Sequence, residues 1–213
     1  IELKVSKSTL EFKFPFDYTE PFIKECLTIQ NTSSSVAEIS WSGFDDDIED
    51  VFSVTYSKGK IEPKCSYNAE FTFKPNNKSH HELTVCLNVV GGPSKKVRLI
   101  GDTGKPRLTV NRKTVQFGLI PVGFEKTQKL RLKNSGPDDG IFTIKSNCPR
   151  YISISPLSGR IGSGDYKSLL FTVRCDEPEN FTYNAQIEVC GANPINLTIA
   201  GKAELPQVQL VHQ

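Results

Sequence analysis

The sequence predicts an all-β protein of two consecutive antiparallel β-sandwiches, residues 1–104 and 105–213. Three observations carry that expectation. A unit of about 100 residues, the usual size of a sandwich domain, occurs twice in order. Inside each unit the apolar residues recur with a period of two, as in half-buried strands. Turn clusters separate these runs, and no segment shows a convincing amphipathic helical pattern.

The elements follow from laying one half on the other. LKVSKSTLEF, from Leu3 to Phe12, lies on LTVNRKTVQF, from Leu108 to Phe117, and matches Leu3 with Leu108, Val5 with Val110, Thr9 with Thr114 and Phe12 with Phe117. LTIQNT from Leu27 lies on LRLKNS from Leu130, where Leu130 and Leu132 share one face and Lys129, Arg131 and Lys133 the other. SKGKIEPKCSYNAEFTF from Ser57 lies on LSGRIGSGDYKSLLFTV from Leu157, sharing Gly59/Gly159, Ile61/Ile161 and Phe71/Phe171. LIGDTGKPRLTV from Leu99 and IAGKAELPQVQL from Ile199 close the copies alike, with Gly101/Gly201 and Pro106/Pro206, and INLTIAG turns Ile195, Leu197 and Ile199 inward. Turns such as NSGPDDG (Asn134 to Gly140) and GGPS (Gly91 to Ser94) separate the runs, so about seven strands per domain are expected. The last strand of the first copy ends near Ile100, Pro106 stiffens the crossing, and the next strand begins by Leu108. A link so short restricts the relative orientation of two domains.

The stretch VQFGLIPVGFEKTQKLRLKNSG, from Val115 to Gly136, tests whether glycines signal a phosphate loop. A phosphate cradle needs a helix N-terminus after its glycines, because free N–H groups and the helix dipole hold the anion. After Gly123 comes a run whose apolar period is two. Gly118 and Gly123 therefore read as places where an opening strand bends or changes sheets. Pro121 between them lacks a ladder donor, which suits an edge or crossover segment.

The 213 residues, 37% hydrophobic and 23% charged, describe an ordinary globular chain without a run of about 18 apolar residues that could span a bilayer. The chain starts at Ile1 with neither a methionine nor a signal-like segment, and reads as a piece of a larger protein. Residues 1–104 hold 12 Lys and Arg against 15 Asp and Glu, and the remainder 14 against 9. The second half is mildly basic, well short of a nucleic-acid-binding footprint, so nucleic acid is not an expected partner.

Chemistry-bearing constellations are sparse. GDTGKP, from Gly101 to Pro106, lacks the spacing, the following Ser/Thr and the helix of a phosphate loop and reads as a boundary turn. His80 and His81 in NNKSHHE have no third ligand nearby and read as solvated loop residues. Only His212 joins that pair, and no Gly-x-Ser-x-Gly elbow occurs, so no catalytic residue, no metal, no cofactor and no small-molecule substrate is expected. The acidic run FDDDIED, Phe44 to Asp50, reads as an exposed loop that a basic partner surface could meet through Asp45, Asp46 and Asp47. The outward row Lys129, Arg131 and Lys133, with Lys126 just before it, has the opposite preference and suits an acidic partner.

Six cysteines fall three to a copy, and Cys26, Trp41 and Cys86 invite an inter-sheet disulfide packed on tryptophan. Strand parity opposes it, since Cys26 lies opposite Leu27 and Ile29, and Cys86 opposite Val85 and Leu87. Aligned copies put Lys129 at the Cys26 position and match Cys190 with Cys86, so no pair is repeated, and thiols in a reducing compartment are expected. Asn-x-Ser/Thr triplets at Asn31, Asn77, Asn180 and Asn196 keep a luminal reading open.

The order Phe117-Gly118, Val122-Gly123, LRLKNSG, ISISPLSGRIGSGD, LTIAG and Pro206 resembles the ASH domain, named for abnormal spindle, spindle-defective and Hydin proteins. That family sits within the immunoglobulin-like group of PapD and major sperm protein. In the first copy FKFPFDY, from Phe12 to Tyr18, replaces FGLIPVG, so this copy is divergent, and its aromatics Phe14, Phe16, Tyr18 and Phe22 are either core or an exposed strip. The resemblance implies tandem immunoglobulin-like domains of a non-enzymatic scaffold whose partners are other proteins of a centrosomal, spindle or ciliary assembly. A secreted or luminal adhesion or chaperone module is the competing reading.

Overall fold

The computed structural model describes residues 1–15, 18–44 and 51–206. Contacts divide the chain into two compact units, Ile1–Gly104 and Lys105–Gln213. No helix occurs among the described residues.

The first unit is built from β1 (Leu3–Val5), β2 (Thr9–Lys13), β3 (Ile23–Asn31), β4 (Ala37–Ser42), β5 (Phe52–Val54), β6 (Lys58–Ile61), β7 (Ser66–Phe73), β8 (His80–Val89) and β9 (Lys95–Asp102). They form a four-stranded sheet in the order β1-β3-β7-β5 and a five-stranded sheet in the order β2-β9-β8-β4-β6. The second unit repeats the plan with β10 (Leu108–Val110), β11 (Thr114–Pro121), β12 (Glu125–Asn134), β13 (Gly140–Ser146), β14 (Ile152–Ser155), β15 (Ser158–Ile161), β16 (Tyr166–Arg174), β17 (Glu179–Val189) and β18 (Ala192–Glu204). Its sheets run β10-β12-β16-β14 and β11-β18-β17-β13-β15.

Nine segments per unit stand where about seven strands were expected. The surplus of two comes from strands that change sheets: the opening strand breaks between Val5 and Thr9, and between Val110 and Thr114, and a middle strand breaks between Val54 and Lys58, and between Ser155 and Ser158, each half joining a different sheet. The second half runs parallel to the last strand, β2 with β9 and β11 with β18, so these two pairs depart from the otherwise antiparallel ladders. Gly118 takes φ +64° at a β-bulge between Gln116 and Leu119, after which three more residue pairs extend β11 to Pro121. The sheet change thus precedes the glycines, and the bend itself is at Gly118. Lys13 occupies the matching place in the first unit, where a side chain disfavours that backbone, and β2 ends there without a bulge.

Each unit has its own interior. Phe12, Phe71 and Phe73 are fully buried in the first, where Phe12 meets Phe52 at 5.5 Å and Trp41 meets Phe71 edge-on at 5.0 Å. Phe117 and Phe171 take the places of Phe12 and Phe71 in the second, Val173 stands where Phe73 does, and Phe142 is fully buried beside them. Phe14 and Tyr18 pack against the first core, which puts these two aromatics with the core; Phe16 lies outside the described residues. Among the described residues one polar residue is buried in each unit, at the same point of the repeat. Asn31 donates from Nδ2 to the carbonyls of Ser35 (2.8 Å) and Ile61 (2.9 Å), and Asn134 to those of Asp138 (2.8 Å) and Ile161 (3.1 Å). With Asn31 fully buried and its amide engaged, that triplet offers no accessible glycan acceptor in the folded chain.

All six cysteines are thiols; Cys26 and Cys65 are exposed, Cys86 and Cys148 intermediate, and Cys175 and Cys190 buried. The ladders correct one sequence match. Val85 pairs with Val97 and Ala185 with Leu197, so Cys86 corresponds to Gln186, and Cys190 to Val90. Burial pushes the Cys190 thiol up to about 12 and also raises Cys175, which suppresses the reactive thiolate. Brief maleimide treatment near neutral pH is expected to label Cys26 and Cys65 in the native chain, and Cys175 and Cys190 only after unfolding, as read by peptide mass spectrometry.

Candidate docking surface

Strand β12 alternates strictly: Leu130, Leu132 and Asn134 are buried while Lys129, Arg131 and Lys133 are exposed. Because successive side chains leave a strand on opposite faces, the three cations form one outward row on the four-stranded sheet of the second unit. Opposite them on β16 stand Leu170, Ser168 and Tyr166, in the pairs Lys129–Leu170, Arg131–Ser168 and Lys133–Tyr166. The Arg131 guanidinium lies 4.2 Å over the Tyr166 ring, a cation–π contact between diagonal neighbours. Tyr166 is 57% exposed and Leu170 37%, so an apolar row runs beside the cationic one. The backbone beneath is secured by Arg112, whose guanidinium donates to the Lys129 carbonyl at 2.8 Å, and by Asn111, whose Oδ1 accepts from the Arg131 N–H at 3.0 Å.

Lys126 belongs elsewhere. Its parity places it on the opposite face, and its ammonium donates to the Phe117 carbonyl at 2.6 Å and the Leu119 carbonyl at 3.3 Å, on either side of the Gly118 bulge. It thus braces the backbone around the bulge, and the cationic row is Lys129, Arg131 and Lys133. Asp45, Asp46 and Asp47 lie outside the described residues. Alternation in YKSLLFTV, with Leu169, Phe171 and Val173 inward, was the available signal for Tyr166, Ser168 and Leu170 as neighbours of the row.

The same face of the first unit is closed on itself. Lys24 pairs with Glu70 at 2.7 Å, and Thr28 donates to Asn68 at 2.8 Å. The registers put Cys26 where the second unit has Lys129, and Glu70 where it has Leu170. The carboxylate that neutralises the first face is therefore a leucine in the second.

Two open depressions lie on the second unit. One of about 670 Å³ in the second unit is bordered by Lys113, Lys145, Asn184, Gln186 and Asn196. Among the described residues no group of three His, Cys, Asp or Glu could hold a metal ion. His80 and His81 open β8 rather than sitting in a loop, and so face opposite ways: His80 Nδ1 lies 2.6 Å from Asp102, and His81 Nε2 lies 3.0 Å from the Lys78 carbonyl. The His81 ring packs edge-on against Phe73 at 5.7 Å, and its burial holds its pKa below the usual imidazole value. A lowered folded pKa means stability is fully present above the unfolded value of about 6.5 and is lost as pH falls through it, where the unfolded chain takes up the proton more readily. The matching residue of the second unit is Phe181. His81→Phe is expected to flatten the fall in melting temperature between pH 7 and pH 5.

Comparison with known proteins finds a family-model match within the second unit. Residues 106–202 match the HYDIN/CFA65/VesB-like, Ig-like domain. The chain is 25% identical over 194 residues to human cilia- and flagella-associated protein 47, covering 89% of this chain and 6% of that protein. It is 28% identical over 171 residues to mouse hydrocephalus-inducing protein, covering 76% of this chain and 3% of that protein. Among solved structures, the ASH/PapD-like domain 7 of human CEP192 aligns at TM-score 0.45 and 15% identity, covering 47% of this chain and 87% of that one. The chain thus spans less than a tenth of the curated relatives it matches.

Proposed function

We propose that the chain is a non-enzymatic docking segment of a ciliary or flagellar protein, a reading supported by the match of residues 106–202 to the HYDIN/CFA65/VesB-like, Ig-like domain. In this reading residues 1–104 are a second, divergent domain of the same kind, supported by the repeated strand order and the repeated buried asparagine. The observation that carries the docking role is the outward face of the second unit, where cations and apolar side chains stand together without the internal neutralisation of the first. Partners are other proteins of the assembly, recognised by exposed sheet faces. A cilium is favoured over a centrosome or spindle pole, and over a secreted module, by the cilia- and flagella-associated relative and by the burial of the first glycan triplet.

The test is proximity labelling in ciliated cells with the full-length protein and with a version lacking residues 1–213. Ciliary labelling with a subset of neighbours lost on deletion is expected. Labelling confined to the secretory pathway, or an unchanged set of neighbours, would overturn the reading.

A further inference from the structure

We propose that the outward face of β12 and β16 binds an extended acidic peptide, with carboxylates at alternate residues and an apolar side chain in the same register. This rests on the docking reading above and deepens it by naming the chemistry of the partner.

Lys129, Arg131 and Lys133 occupy every second position of one strand. A strand rises about 3.3 Å per residue, so their attachment points are about 7 Å apart. An extended peptide repeats its own side chains at that interval. Glutamates at alternate positions therefore meet the three cations in step. Among the described residues no carboxylate lies within 4.0 Å of any of these three, whereas Lys24, the cation on the matching face of the first unit, is paired with Glu70. The attraction of this face is unspent on the chain itself.

The apolar component comes from β16. Tyr166 and Leu170 flank the small Ser168, leaving a dip between two larger side chains, and Leu170 is opposite Lys129. A leucine one register step beyond the last glutamate stands level with the Thr127–Thr172 pair and reaches Leu170 as a diagonal neighbour. Arg131 is already held over Tyr166, which lowers the ordering cost of presenting its guanidinium. Three cations in a single row with an apolar flank suit a peptide better than a phosphate backbone, which engages many cations along a continuous track.

The experiment is a fluorescence anisotropy titration of the full chain with a fluorescein-labelled peptide in which three glutamates alternate with serines and a leucine follows in the same register. Saturable binding is expected, weakened more than about tenfold by the triple change Lys129→Glu, Arg131→Glu, Lys133→Glu and more weakly by Leu170→Ser. Reversal of the exposed Lys4 and Lys96 of the first unit should leave it unchanged. Arg131→Gln alone provides a milder variant, and a thermal melt confirms that each is folded. Absence of saturable binding at low salt, equal loss in the first-unit control, or tighter binding of oligothymidine or phosphatidylserine vesicles than of the peptide would overturn the proposal. None of these readouts depends on where the protein resides, so a failed ciliary localisation is a separate result.

Discussion

Asn134→Ala is expected to destabilise the second unit by about 3 kcal/mol, the sum of several lost or orphaned hydrogen bonds. The side chain is fully buried and ties three segments together. Its Nδ2 donates to the Asp138 carbonyl at 2.8 Å and the Ile161 carbonyl at 3.1 Å, while its Oδ1 accepts from the Gly136 N–H at 3.0 Å and the Arg107 N–H at 3.1 Å. Alanine leaves all four backbone groups without that partner, and the Ile161 carbonyl is in the buried part of the network. Asn134→Asp is expected to be at least as costly, because a carboxylate would turn lone pairs toward two carbonyls and bury a charge. Urea unfolding followed by circular dichroism reads the loss as a midpoint shift of about 1–2 M. Trp41 is the chain's single tryptophan and lies in the first unit, so its fluorescence follows that unit alone. If the units fold as separate domains, as proposed, Asn134→Ala leaves the Trp41 transition in place and Asn31→Ala moves it.

The second large effect is at Phe171. It lies on β16 between β12 and β14, is fully buried, and belongs to the second core cluster. Phe171→Ala removes a ring from a close-packed interior and leaves a cavity, which costs about 3–5 kcal/mol. A domain of this size is stable by about 5–15 kcal/mol, so the change consumes much of that margin and a broad or absent second transition is expected. Phe171→Leu keeps most of the volume and should cost less than half as much. The same circular dichroism series separates the two.

The strand plan was readable from the sequence because burial imposes a period of two wherever one face meets the core, as in LRLKN and INLTIAG. Repetition added register, since Gly101 and Gly201 mark places where a Cβ would strike the Phe73 and Phe181 rings, at 2.3 Å and 2.5 Å. What the pattern did not carry was pairing partner and direction. Nothing local in STLEF or TVQFG says that these strands run parallel to the last strand of their unit, because that depends on a neighbour about 90 residues away. The cationic row was legible as three alternating charges. The separate role of Lys126 was not, because it follows from a bulge whose carbonyls turn toward it in space. The Cys190 match failed for a similar reason: the β17–β18 ladder, not local similarity, sets the register.

The measurement that bears most directly on the account is proximity labelling with the full-length protein carrying Lys129→Glu, Arg131→Glu and Lys133→Glu. These side chains face outward and make no ion pair with the described residues, so folding and abundance should hold. Loss of a defined set of ciliary neighbours at unchanged thermal stability is the expected result. An unaltered set of neighbours from a normally folded, normally expressed variant would contradict the claim that this sheet face is where the protein engages its partners.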